Sequence, residues 1–206
     1  AMRAIRKTFM KGTAKEGEGL CALRELRMEG NPIGDEGITA IAASLEGNVA
    51  LTALDCRRCS IAEAGARQLS RSLCSSPAIA YIDLSWNKLR VEGGKAMANV
   101  VKKNQQVREL SIAWNAVRDE GASAIADALL SNEGIVALDL SANDISGVGA
   151  AHVAKAFSKS RTLRKLSLDF NPVGNRGGAL ILEAAQQRGD CQSLSMSGAL
   201  VSSLAG

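Results

Sequence analysis

The residues best suited to chemistry are few. Cys56 and Cys59, in the string CRRC, have the spacing of a zinc-binding or redox pair. A structural zinc site needs four ligands, however, and the sequence holds no second pair at that spacing. His152 is the only histidine, and the residues around it are mainly alanine, so it has no neighbours with which to build a metal cluster or a nucleophile–base pair. The glycines of ISGVGAA (145–151) lack the GxxxxGK[ST] context that cradles a phosphate.

The elements that carry these residues repeat. Asn31, Asn87, Asn115, Asn143 and Asn171 lie on one lattice of period 28, and Cys59 fills the missing node. Six residues after each node stands Gly37, Gly65, Gly93, Gly121, Gly149 and Gly177. Five before it stands Leu26, Leu54, Ile82, Leu110, Leu138 and Leu166, and three before it Met28, Cys56, Leu84, Ile112, Leu140 and Leu168. Two after it the series is Ile33, Ile61, Leu89, Val117, Ile145 and Val173. A seventh, degenerate unit follows through Cys191, Leu194, Met196, Ala199 and Val201.

Each unit reads as a short strand, a turn and a helix opened by the glycine. Alternate apolar residues such as Leu138 and Leu140 share one face of a strand. After the glycine, apolar residues return at helical spacing, as in Ile125 then Leu129 and Val153 then Phe157. One unit cannot bury its own apolar face, so the units must stack into a solenoid with a parallel sheet on one side. The same lattice places Cys56 in an apolar column and Cys59 in the asparagine column, which predicts buried cysteines rather than a metal or redox site.

The strings LDLSANDI (138–145) and YIDLSWNKLRVEGG (81–94), with the 28-residue period, resemble the leucine-rich repeats of the ribonuclease-inhibitor-like class. The resemblance covers about residues 20–201 and implies an α/β solenoid, a curved right-handed superhelix with its parallel sheet on the concave face. It also implies that the asparagine amides bond backbone groups in the turns between units and play no catalytic part. The expected organisation is a basic capping segment over 1–22, six repeats over 23–190 and a partial terminal repeat over 191–206. Residues 2–12 read as a short basic amphipathic helix, with Ile5, Phe9 and Met10 on one side, that caps the first repeat or meets an acidic partner or membrane surface.

Charge narrows the partner. Residues 1–15 hold five bases and no acid, leaving 20 bases against 21 acids in the remainder, too even a balance for a protein that grips many phosphates. Five cysteines, an odd number in a chain with no secretory signal, argue against a disulfide framework. No apolar run reaches the ~18 residues of a membrane span. The expectation is a cytoplasmic protein, cytoskeletal or ciliary by resemblance, with a protein partner and with no nucleic acid, membrane or small-molecule cofactor.

The strand residues six, four and two before each node, and the one just before it, are expected to face away from the core. Tyr81, Trp86, Trp114 and Phe170 fall in those columns, four of the chain's six aromatic residues. Rings outside an aliphatic core predict either a contact surface or a stack that shields the turn. Seven acids, including Asp83, Asp139 and Asp169, stand there against Arg27, Arg57 and Lys165, a mildly acidic face suited to a basic partner. These residues predict a non-enzymatic interaction scaffold whose site comprises Tyr81, Trp86, Trp114, Phe170, Asp83, Asp139, Asp169 and Arg57. The resemblance adds two alternatives. One is a GTPase-activating regulator using Arg90 or Arg118, which share a loop column as an arginine finger would; the other is actin-filament capping of tropomodulin type.

Overall fold

A computed structural model of the chain describes residues 23–199. The expected basic cap over 1–22, with its Ile5, Phe9 and Met10, and the end of the partial repeat from residue 200, including Val201, lie outside the described residues.

Seven three-residue strands alternate with six helices. They are β1 (Glu25–Arg27), α1 (Gly34–Leu45), β2 (Ala53–Asp55), α2 (Glu63–Leu73), β3 (Tyr81–Asp83) and α3 (Arg90–Lys103). Then come β4 (Glu109–Ser111), α4 (Arg118–Leu129), β5 (Ala137–Asp139), α5 (Gly147–Lys159), β6 (Lys165–Ser167), α6 (Gly174–Arg188) and β7 (Ser193–Ser195). The strands form one parallel sheet in sequence order. Its register pairs Leu26 with Leu54, Leu54 with Ile82, and so on to Leu166 with Leu194, each pair 28 residues apart. The repeat is therefore the pairing rule of the sheet.

Between sheet and helices lies one aliphatic core. Leu54, Ile82, Leu84, Leu89, Ile112, Leu140 and Ile145 are wholly buried, and so are Cys56 and Cys59. Phe157 is the ring in that core, with the Arg188 guanidinium 4.9 Å over it. Leu26, Met28 and Ile33 at one end, and Leu194 and Met196 at the other, are only partly buried, since each has a repeat on one side alone among the described residues.

The repeat glycine does not open the helix. Each helix begins two or three residues earlier, and the glycine sits in its first turn. It is there for close approach. A Cβ on Gly121 would fall 2.9 Å from the Val117 side chain, and one on Gly94 would fall 3.1 Å from the Gly121 Cα, where α3 and α4 touch backbone to backbone.

A second polar column closes the other end of each helix, and the sequence reading missed it. Asn104 and Asn132 are buried just past α3 and α4. Asn132 Nδ2 donates to the carbonyls of Val101 and Asn104, and its Oδ1 accepts from the amides of Gly134 and Ile135. Asn104 does the same one repeat earlier, against Leu73, Ser76, Gln106 and Val107. At the sixth repeat Arg188 takes over, its Nη1 donating to the carbonyls of Phe157 and Ser160. These groups partner helix-terminal carbonyls that have no partner within the helix.

Because neighbouring units share each buried leucine's surroundings, a truncation is felt beyond its own repeat. Leu138→Ala and Leu140→Ala should each cost ~2–5 kcal/mol in denaturant unfolding, as large-to-small core changes do. Unchanged unfolding midpoints would contradict this packing.

Candidate functional site

Local geometry at the node sets the surface. The Asn87 side chain is buried and spends both its groups on backbone. Its Nδ2 donates to the carbonyls of Cys56 and Leu84, and its Oδ1 accepts from the amides of Cys59 and Ile61 in the preceding repeat. Asn143 and Asn171 repeat the arrangement, accepting from Asn115 and Val117 and from Asn143 and Ile145. Cys59 reproduces only the donor half, its Sγ donating to the carbonyls of Met28 and Arg57. With no oxygen to receive them, the amides of Asn31 and Ile33 turn to the nearby carbonyls of Met28 and Asn31.

The CRRC pair is thus part of the node. The bond between the two thiols, together with burial, pushes Cys56 up, while the same bond pulls Cys59 down. Cys59 faces two carbonyl acceptors, so the thiol is the form this site holds.

Just before each node the backbone turns left-handed. Gly30, Arg58, Trp86, Trp114, Ala142, Phe170 and Gly198 all have φ between 51° and 75°. Each of the first six donates its amide to the next repeat, as Trp86 does to Ala113 at 2.8 Å and Phe170 to Ser197 at 2.8 Å. A non-glycine residue in this conformation costs roughly 1–2 kcal/mol. Gly30 and Gly198, at the two ends, avoid that cost.

The residues in between form a ladder of side chains along the sheet edge. The Arg58 guanidinium lies 5.0 Å over the Trp86 ring. Trp86 stacks on Trp114 with centroids 4.2 Å apart and planes 9° from parallel. Trp114 meets Phe170 at 6.1 Å, tilted by 40°, across the repeat that carries Ala142. Trp86, Trp114 and Phe170 nevertheless stay 45%, 42% and 59% exposed. The tryptophans stack, as one of the two readings expects, and they leave one edge of each ring exposed. Arg58 is a ladder member that the sequence reading overlooked, although it occupies the same column.

The charged residues divide into two groups. At the β1–β3 end, Arg57 donates from Nε and Nη2 to both carboxylate oxygens of Asp55, at 3.0 and 2.7 Å, and to Glu29 at 2.9 Å. It lies 3.5 Å from Asp83, which also accepts from the Tyr81 hydroxyl at 3.3 Å. Burial pushes the Asp55 carboxyl up, but the bonds from Arg57 outweigh it and hold the group below its ordinary value. Tyr81 is pushed up by burial and by Asp83. Asp55 and Asp83, expected to face solvent, are instead buried at 7% and 8% exposure. The reason is local: Asp55 accepts the Arg57 amide, and Asp83 accepts the amide and hydroxyl of Ser85, so both carboxylates are folded back against the sheet.

At the β5–β7 end the carboxylates are more open. Asp139 accepts from the Ser141 amide and, at 3.3 Å, from the Ser111 hydroxyl. Asp169 accepts from the Ser195 hydroxyl and the Ser197 amide. Both remain half-buried, and among the described residues neither forms an ion pair. A recess of about 370 Å³ on the sheet face brings Asp83, Asp139 and Asp169 together with Trp86, Trp114 and Phe170. Tyr81 and most of the Arg57 network line a neighbouring recess with Glu25 and Arg27.

Arg90 and Arg118 are the first residues of α3 and α4, exposed and left-handed, with φ of 51° and 58°. His152 is exposed on α5. No group of three or more metal-ligating residues gathers among the described residues. No described helix is long and apolar enough to cross a membrane.

The family model for the leucine-rich repeat matches residues 19–42, 79–98, 103–126, 131–154 and 159–182. The chain belongs to the leucine-rich repeat family. Two solved structures of the same solenoid fold are similar to it. Leiomodin-1 Actin-Binding Site 2 is 19% identical with a TM-score of 0.56, over 65% of this chain and 78% of that one. The tropomodulin C-terminal domain of Caenorhabditis elegans is 13% identical with a TM-score of 0.63, over 73% and 92%. No curated protein matches the sequence.

Cys59 supplies a direct test of the node. Cys59→Asn offers the amides of Asn31 and Ile33 a side-chain acceptor in place of the local carbonyls of Met28 and Asn31, a net gain of ~0.5–1.5 kcal/mol that should raise the melting temperature by about 1–6 °C. A lowered melting temperature would show that this turn does not share the geometry of the others.

Proposed function

We propose that this leucine-rich repeat chain is a non-enzymatic interaction module that binds a protein partner across its exposed sheet face. The observation that carries the reading is the ladder of Trp86, Trp114 and Phe170, exposed rings at backbone positions where glycine would be cheaper. Stacking of an aromatic pair contributes ~0.5–1.5 kcal/mol, which does no more than offset the roughly 1–2 kcal/mol of left-handed strain at each ring. Stability alone therefore gives little reason to place rings there, whereas large rigid aromatic side chains are the usual anchors of protein interfaces. Tyr81, with Asp83 and Arg57 beneath it, extends the surface toward β2, and Asp139 and Asp169 extend it toward β7.

Actin is the first partner to test, because one of the similar folds is itself named as an actin-binding site. On this reading the chain works in the cytoplasm, associated with the cytoskeleton, and takes no nucleic acid, membrane or cofactor as partner. Arg90 and Arg118 keep the GTPase-regulator alternative open to a direct assay, since both are exposed at helix starts.

The Trp86→Ala, Trp114→Ala double variant should remain folded and lose its partner. Anchors of this kind cost ~2 kcal/mol or more when truncated, about thirtyfold in affinity. Cosedimentation with filamentous actin, and capture of a partner from lysate followed by identification, provide the readouts. Binding that survives in the double variant but disappears on charge reversal of the helix face would put the working surface on the opposite side. Acceleration of GTP hydrolysis by a captured GTPase, lost in Arg90→Ala or Arg118→Ala, would replace the scaffold reading with the regulatory one.

A further inference from the structure

The ladder along the sheet edge has one missing rung. Arg58, Trp86 and Trp114 come from consecutive repeats and stack without interruption, but the next repeat supplies Ala142, and the ladder resumes only at Phe170. Trp114 and Phe170 therefore stem from strands two apart, whose backbones are separated by about 9–10 Å. Trp114 keeps the attitude of its stack on Trp86, and the Phe170 ring, lying close against Gly198, is tilted to it by 40° with the centroids 6.1 Å apart; Ala142 lines a recess with both. A planar group stacked between two rings needs about 7 Å from ring to ring, twice an ordinary carbon contact. The backbone spacing provides that room once Phe170 turns parallel to Trp114, the attitude Trp86 and Trp114 already hold toward each other.

Resting on the reading of this face as a protein-binding surface, we infer that the gap above Ala142 receives an arginine side chain of the partner, its guanidinium stacking between Trp114 and Phe170. Three observations select that chemistry. The ladder already contains the arrangement, since the Arg58 guanidinium lies over the outer face of Trp86. The charge on the sheet side is complementary: Asp139 and Asp169 line the recess beneath Trp114 and Phe170 and have no ion-pair partner among the described residues. Arg57, a cation of the same recess, is held by Asp55, Glu29 and Asp83. On the opposite side of the two rings, Asp144 accompanies Lys88 and Arg90, so the acidic approach is from the sheet. Shape then separates the two basic side chains: a flat guanidinium stacks on aromatic faces and forks toward carboxylates, whereas a compact, strongly hydrated ammonium does neither in a slot.

The full chain titrated with tetra-arginine amide, followed by tryptophan fluorescence, reads the insertion directly. The expected result is a saturable change with an affinity at least tenfold higher than for tetra-lysine or tetra-citrulline. Ala142→Phe supplies the missing ring and should weaken tetra-arginine at least tenfold. Asp139→Asn, which leaves the rings and an acceptor for Ser141 in place, should weaken it severalfold and flatten its salt dependence. No saturable response, equal response to arginine and lysine, or undiminished binding in Ala142→Phe would overturn the inference. Any of these outcomes alongside partner capture that is lost in the Trp86, Trp114 double variant removes only the arginine and leaves the protein-binding face standing.

Discussion

The structure depends on one side chain doing two jobs at the end of each strand. A three-residue strand satisfies few backbone groups, and the chain must then leave the sheet through a turn that is buried against its neighbours. Unpaired polar backbone in that setting costs ~1–3 kcal/mol per group. The buried asparagine removes the debt by donating to carbonyls of its own and the preceding repeat while accepting two amides from the preceding one. Since each node bonds across a repeat boundary, stacking and turn closure are the same event, as the fixed 28-residue register of the sheet requires.

The same turn determines the surface. Closing it around the asparagine leaves the preceding residue left-handed, with its amide bonded to the next repeat and its side chain directed to the sheet edge. Whatever occupies that column is displayed at one strand spacing from the next, so an arginine, two tryptophans, an alanine and a phenylalanine become a ladder without any further scaffold. The core needs few rings, Phe157 among the described residues, because columns of aliphatic and small residues fill the rest, with helices meeting at Gly94 and Gly121. The rings are thereby free to serve the outside.

Most of the fold was legible in the sequence because it is periodic: the strand leucines, the asparagine node and Cys59 standing in for it are all read from spacing alone. The helix starts were displaced, because the conspicuous glycine marks close helix packing and not the first helical residue. The second polar column went unread because it changes identity, running Asn48, Ser76, Asn104, Asn132, Ser160 and Arg188, so its hydrogen bonds reveal it better than its spacing. At the candidate site, spacing gave the column of each ring but not the tilt of Phe170 against Trp114. It gave the acidic character of the face but not which carboxylates are folded back on Arg57 and Ser85, since alternation along a strand says where a side chain points and nothing about what it bonds.

The central claim is that, where the node is asparagine, its side chain and not the strand holds the turn of the preceding repeat closed. Amide hydrogen exchange in Asn143→Leu, compared with the unaltered chain, tests it most directly, because Asn143 is the acceptor for the amides of Asn115 and Val117 one repeat away. Those two amides should exchange at least tenfold faster while Leu110 and Leu138 in the adjoining strands keep most of their protection. Unchanged exchange at Asn115 and Val117 would contradict the account.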